Sequence, residues 1–261
     1  MCLLVWAYDM HPQYRLILAG NRDEFYARPT AAAARWPEHP SLVAGRDLRA
    51  GGTWMGVSGS QRFCIVTNVR APDAQKTTAA SRGALVAGYL LHHRSAASYQ
   101  HAVEQTRRQY NGFNLLIGDA DAIQYVSTAA ASQTLTSGLY GLSNATLDTP
   151  WPKVTRAKRR LRTILSADDA LVPALFDLLQ DDTPAPDEAL PDTGVPRDWE
   201  RALSSIFIAS PRYGTRASTV LLLNRAGGGT LIEQTYTPDG AIATRQHFAL
   251  HPHATSNPTS S

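Results

Sequence analysis

Cys2 stands next to the chain start, and a cysteine at that position can carry two catalytic groups on one residue. Methionine aminopeptidases remove Met1 when the second residue is small, and cysteine qualifies. The mature chain would then begin with a thiol and a free α-amine. An α-amine with a pKa of about 7.7–8.0 is partly neutral near pH 7, so it can serve as general base to the sulfur beside it. The thiolate is the reactive form, and nearby positive charge favours it. The competing reading makes Cys2 the first inward residue of a strand, a small apolar group and nothing more. Cys64 is the only other cysteine, so neither a disulfide framework nor a cysteine-rich zinc site can be built.

The elements around Cys2 decide between these readings. Leu3–Tyr8 and Tyr14–Ala19 are apolar, alternating runs separated by Asp9-Met10-His11-Pro12-Gln13, which predicts a β-hairpin. Facing Tyr8 with Tyr14 puts Cys2 opposite Gly20, with a slip of one or two residues allowed. Cys2 then lies beside Asn21-Arg22-Asp23-Glu24. Arg22 is available to lower the thiol pKa, and Asp23 to hold the α-ammonium through a charge-assisted hydrogen bond. A second hairpin is expected from Gly51-Gly52-Thr53-Trp54-Met55-Gly56-Val57, through Ser58-Gly59-Ser60, into Phe63–Asn68. The glycine pair suits a close backbone approach with Trp54 as a pocket wall; a hairpin turn with a core tryptophan is the alternative.

Helices are expected over 81–93, with Ser81 as N-cap, and over 96–109, 152–165 and 167–180. Strands are expected over 113–118, 123–127, 134–142, 205–208, 217–223, 230–236 and 241–248. Residues 181–197, rich in Asp and Pro, read as an exposed loop, and 251–261 as a disordered tail. The predicted architecture is α+β, one domain over residues 1–250. Two antiparallel sheets lie between helices in a four-layer αββα sandwich.

The 261 residues are 43% hydrophobic and 18% charged, an ordinary globular balance. A net charge of +3 is too mild to argue for nucleic acid, and no nucleic-acid module is recognisable. No apolar run approaches the ~20 residues of a membrane span, and no secretory signal is readable, so a cytoplasmic address is expected. His92 and His93 are adjacent and point to different helix faces, so no shared metal site is expected, and no cofactor either. Gly227-Gly228-Gly229 reads as a hairpin turn and not a nucleotide loop. The basic residues from Lys153 to Arg162 form either an anion-attracting helix or a solvated face.

Several ordered segments carry a family resemblance. Met1-Cys2 is followed by Ala19-Gly20-Asn21-Arg22-Asp23-Glu24-Phe25-Tyr26-Ala27-Arg28-Pro29-Thr30, then by Gly51-Gly52-Thr53-Trp54-Met55-Gly56 and Thr67-Asn68-Val69-Arg70. Tyr110-Asn111-Gly112-Phe113-Asn114-Leu115, Gly141-Leu142-Ser143-Asn144 and Gly214-Thr215-Arg216-Ala217-Ser218-Thr219 complete the set. Together they resemble the NRDE family, also called the transport and Golgi organisation family, from Met1 to about Gly240. The resemblance implies an N-terminal nucleophile hydrolase fold. It is distantly similar to the choloylglycine hydrolase and penicillin acylase group, which cleaves amides with an N-terminal cysteine. That likeness implies Cys2 as nucleophile, Asp23 after the first hairpin, Asn144 as oxyanion donor and Arg216 supporting the cysteine. Asn68, Trp54 and Asn21 are candidate substrate contacts. The group's early arginine precedes its Asp by three residues, where this chain has Gly20, and Arg22 is the available replacement. Asn144 also reads as a turn residue, and Arg216 as half of a structural ion pair. The expected ligand is a small amide or acyl compound. The family's association with haem trafficking and acyl-CoA or lipid homeostasis implies an alternative: a non-catalytic carrier, with haem as a possible ligand.

Overall fold

Alternation along β1 (Leu3–Tyr8) and β2 (Tyr14–Phe25) divides their side chains between two different cores. A computed structural model describes residues 3–59, 61–72, 75–167 and 170–251. In it Leu4, Trp6, Leu16 and Leu18 face inward, where they meet Val43, Val57, Phe63, Leu116 and Tyr125 of a second sheet. Leu3, Val5, Ile17 and Ala19 face outward onto helices α3 (Pro152–Leu165) and α4 (Leu171–Leu179). The second sheet repeats the pattern, with Cys64, Leu115 and Ile117 packed outward against α1 (Gly83–Leu90) and α2 (Ala96–Thr106). Strands buried on both faces explain why these segments are nearly all apolar. The layers are helix, sheet, sheet, helix, the predicted αββα sandwich.

The first sheet has the order β10-β1-β2-β11-β12-β13. Its later strands are β10 (Gly138–Leu142), β11 (Tyr213–Asn224), β12 (Gly229–Tyr236) and β13 (Ile242–Leu250). The second sheet runs β3 to β9 in chain order. It comprises β3 (Thr30–Trp36), β4 (His39–Asp47), β5 (Met55–Ser58), β6 (Arg62–Asn68), β7 (Phe113–Gly118), β8 (Ile123–Ser127) and β9 (Gln133–Thr134). Every strand pair is antiparallel. No helix of the described residues is long and apolar enough to cross a membrane.

Several elements differ from the sequence expectation, each for a physical reason. The first hairpin pairs Tyr8 with Leu16, not Tyr14, and Leu3 with Asn21. Asp9 adopts φ 53° and its N–H donates to the Arg15 carbonyl at 2.8 Å, which turns the chain early. A shift of two residues leaves every side chain on its expected face. β3 and β4 have no strand signature, because Ala31–Ala34 is alanine-rich and prolines flank it; pairing and burial impose the strand there. Residues 134–142 divide between the two sheets as β9 and β10. Ser81 does not cap α1, which starts at Gly83 without a side-chain cap; Ser95 caps α2 instead, accepting from the Ser98 N–H at 3.2 Å. Residues 205–208 form no strand although Ile206 and Ile208 are buried, and a short helix, α5 (Arg197–Ala202), precedes them. His92 and His93 lie beyond the end of α1. The basic helix α3 is pinned by acids and is not a bare solvated face: Arg156 and Arg160 pair with Asp181, and Lys158 with Asp148. Cys2 and the tail 252–261 lie outside the described residues.

Candidate active site

The end of β2 carries the charged residues Arg22-Asp23-Glu24 into an otherwise apolar sandwich, and alternation sorts them. Arg22 follows Leu16 and Leu18 on the inner face, whereas Asn21 and Asp23 follow Ile17 and Ala19 on the outer face. Arg22 is buried, with its guanidinium 4.1 Å from the centroid of the Trp54 ring and 3.8 Å from the Glu24 carboxylate. A guanidinium on a tryptophan face away from water keeps its charge while its plane is fixed.

Asp23 is buried and accepts a 2.7 Å hydrogen bond from the Thr215 hydroxyl, which itself accepts from the Ile208 N–H. Thr215 stands opposite Asp23 across the β2–β11 ladder and Ala217 opposite Arg22, so Arg216 is the extra residue of a β-bulge. A bulge re-aims one side chain. The Arg216 guanidinium donates to the carbonyls of Phe25, Tyr26 and Arg28, and so staples the loop after β2. From the sequence Arg216 reads as half of an ion pair or a support of the cysteine; among the described residues its hydrogen bonds go to this loop.

Asn21 is wholly buried on the outer face. Its amide donates to the Leu179 and Ile206 carbonyls at 2.8 Å each, and its oxygen accepts from Ser218. It bolts β2 to the helical layer and does not line the cleft. Asn144 follows β10, whose Leu142 pairs with Leu4 of β1. One Asn144 N–H goes to the Asn68 carbonyl at 2.9 Å, and the Asn144 carbonyl accepts from the Arg70 N–H at 2.7 Å.

Asn114 supports that loop and escaped the sequence reading, although its segment stood among the family motifs. Fully buried between the sheets, it donates to Thr67 Oγ1 at 3.1 Å and to the Ala145 carbonyl at 2.7 Å. It accepts from the Tyr125 and Ser127 hydroxyls at 2.7 and 2.8 Å. The Thr67 hydroxyl in turn donates to the Ser143 carbonyl at 3.0 Å. An asparagine inside a β-rich apolar run was the available signal, since a buried amide must find partners. Arg70 and Glu200 form a second buried brace, 2.7 Å apart, with Arg70 also over the Trp151 ring.

A cleft of about 300 Å³ opens at the end of β2, lined by Arg22, Asp23, Trp54, Asn68 and Arg82 among others. Arg28 forms part of its rim and holds Asp47 through two hydrogen bonds of 2.7 and 2.8 Å. Burial pushes the Asp47 carboxyl up, but Arg28 and the N–H groups of Ala50 and Arg49 outweigh it and hold the carboxyl below its ordinary value. Close packing at Gly52 shapes the floor: a Cβ there would lie 2.6 Å from the Gly83 backbone. Cys64 is fully buried, and desolvation drives its thiol well above the ordinary range, so it is inert. Among the described residues no group of three His, Cys, Asp or Glu side chains could hold a metal ion.

The structure thus gathers Arg22, Asp23, Trp54 and Asn68 on one cleft and sets Asn144 against the Asn68 backbone. Asn21 lies in the outer core, and Arg216 beside the loop it staples.

Comparison with known proteins supplies the family. In shape the chain is similar to a Caenorhabditis elegans N-acylethanolamine-hydrolyzing acid amidase ortholog, with a TM-score of 0.48 at 10% identity over 85% of this chain and 92% of that one. In sequence it is 35% identical to the Bos taurus Transport and Golgi organization protein 2 homolog, covering 96% of this chain and 98% of the relative. The Homo sapiens homolog is 34% identical, covering 90% and 92%. The Drosophila melanogaster Transport and Golgi organization protein 2 is 30% identical, covering 91% and 93%. The profile of Transport and Golgi organisation 2 matches residues 1–238, and with these relatives it shows that the chain belongs to that family.

Proposed function

We propose that the chain is a cysteine hydrolase of linear amide C–N bonds, with Cys2, exposed by removal of Met1, as nucleophile. The observation that carries this reading is the pair of ladders at the start of β1, Leu3 with Asn21 and Leu4 with Leu142. If the same registers held as far as Cys2, it would stand opposite Arg22 and Asn144, beside the cleft.

On this reading the Cys2 α-amine takes the thiol proton as the sulfur attacks the amide carbonyl. Arg22 lowers the thiol pKa, and Asp23 holds the ammonium. Arg22 shares the inner face with Gly20 and so supplies the cation that Gly20 cannot. Asn144 has a second N–H besides the one given to Asn68. Donated to the tetrahedral oxyanion, it contributes about 2.7–4 kcal/mol of transition-state stabilisation. The ammonium then protonates the leaving amine, and water hydrolyses the Cys2 thioester, restoring the thiol and releasing the acid. Trp54 and Asn68 contact the substrate from the cleft wall. Arg216 and Asn21 act at a distance, by fixing the loop after β2 and the strand itself.

The test is turnover of a panel of N-acyl amides by the wild-type protein and by Cys2→Ala. Hydrolysis abolished in the variant supports the reading. Saturable binding of haem or an acyl thioester without turnover in either protein would favour the carrier alternative instead.

A further inference from the structure

Glu233 is a buried carboxyl with no part in the mechanism above. It lies on the inner face of β12, where Thr219 of β11 stands between it and Gly20 of β2 in one cross-strand row. Its Oε1 accepts the Ala33 N–H of the opposite sheet at 2.5 Å, so it bridges the sandwich. It borders a chamber of about 250 Å³ that also has Arg22, Trp54 and Arg216 in its walls. Arg22 and Trp54 line the cleft as well, so their stack divides cleft from chamber. Arg22 therefore sits between two acids, Glu24 on the cleft side and Glu233 on the chamber side.

We propose that Glu233 is a positioning residue for the thiol: as a carboxylate it shares Arg22 with the nucleophile, and as an acid it leaves the guanidinium to the nucleophile alone. The inference rests on the hydrolase reading, because it needs Arg22 to serve Cys2. The charged groups that share the chamber with Glu233 are Arg22 from β2 and Arg216 from β11; Tyr236 from β12 touches the chamber, with its hydroxyl turned to Ser218 and Gln234. The β3 residues and Trp54 that complete the chamber carry no charge, and the ladder partner on β13 is Gln246. Burial raises the carboxyl to about 7, against the Ala33 N–H, the Arg22 charge and the Thr219 hydroxyl. Both protonation states are thus populated near neutrality.

The experiment is the pH profile of Cys2 alkylation by iodoacetamide in the wild type, Glu233→Gln and Arg22→Gln. Glu233→Gln, permanently neutral, is expected to lower the apparent thiol pKa by about 1 unit. Lower intrinsic nucleophilicity offsets part of the gain in thiolate, leaving about a threefold faster reaction near pH 7. A profile unchanged in Glu233→Gln but raised in Arg22→Gln overturns this inference and leaves the hydrolase reading standing. A profile unchanged in both overturns Arg22's role, and this inference with it. Infrared difference spectra of the wild type between about pH 6 and 8 cover a variant that does not fold. A buried carboxyl band titrating in that interval is expected, and its absence overturns the proposal.

Discussion

Replacing Asn114 with leucine tests whether the polar brace between the sheets holds the Asn144 loop. Leucine repeats the branched shape of asparagine with a larger volume, so the change removes hydrogen bonds and opens no cavity, and any crowding adds to the loss. Four bonds are lost, to Thr67, the Ala145 carbonyl, and from Tyr125 and Ser127. At about 1 kcal/mol net for each, the expected destabilisation is about 4 kcal/mol. That is roughly a thousandfold in the folding equilibrium. Equilibrium urea unfolding by far-UV circular dichroism reads it directly. Asn114→Asp gives a second signature. A carboxyl facing the Ala145 carbonyl is held protonated in the fold, so its folded pKa exceeds the unfolded value of about 3.9. The folded state then binds more protons than the unfolded one, and stability falls as pH rises from about 4 toward that raised pKa. A loss below about 1 kcal/mol for the leucine variant, or no pH slope for the aspartate one, would refute the brace.

Other outcomes follow from the same geometry. Arg70→Met removes the cation beside buried Glu200, which keeps only the Thr193 donors, and should cost about 3 kcal/mol, with the double variant Arg70→Met/Glu200→Gln recovering part of it in the same unfolding assay. Glu233→Gln keeps the acceptor for the Ala33 N–H but cannot ionise. Because the wild-type carboxyl is raised to about 7, the wild type loses stability between about pH 4.5 and 7. The variant should lack that slope and gain about 3 kcal/mol on the wild type above pH 7, read as unfolding midpoints across pH. Gly52→Ala drives a Cβ to 2.6 Å from the Gly83 backbone. It should displace the start of α1 and lower thermal stability and turnover together.

The layer order was legible because the periodicities are strong: Pro152–Leu165 falls where its helical pattern says, and Phe113–Gly118 where its apolar run says. β3 and β4 were not, since an alanine-rich run gains strand geometry only from the neighbours it pairs with. The hairpin of β1 and β2 was legible but its ladder was two residues off, because the turn at Asp9 depends on a backbone conformation that no residue type announces. Arg216 shows the limit for site residues. Its motif marks it, yet a bulge decides where its guanidinium goes, and a bulge is a property of the pair of strands. Asn21 reads as a polar residue beside a site and proves a bolt to the helical layer, a distinction made by Leu179 and Ile206, far away in sequence.

Intact-mass and peptide mapping of the native protein, isolated from its own host and treated with iodoacetamide at about pH 7, tests the central claim most directly. Cys64, buried and inert, is the internal control. A chain lacking Met1 that carries a single adduct, on Cys2, is the expected result. A retained Met1, or a Cys2 left unmodified in the folded protein, would contradict it.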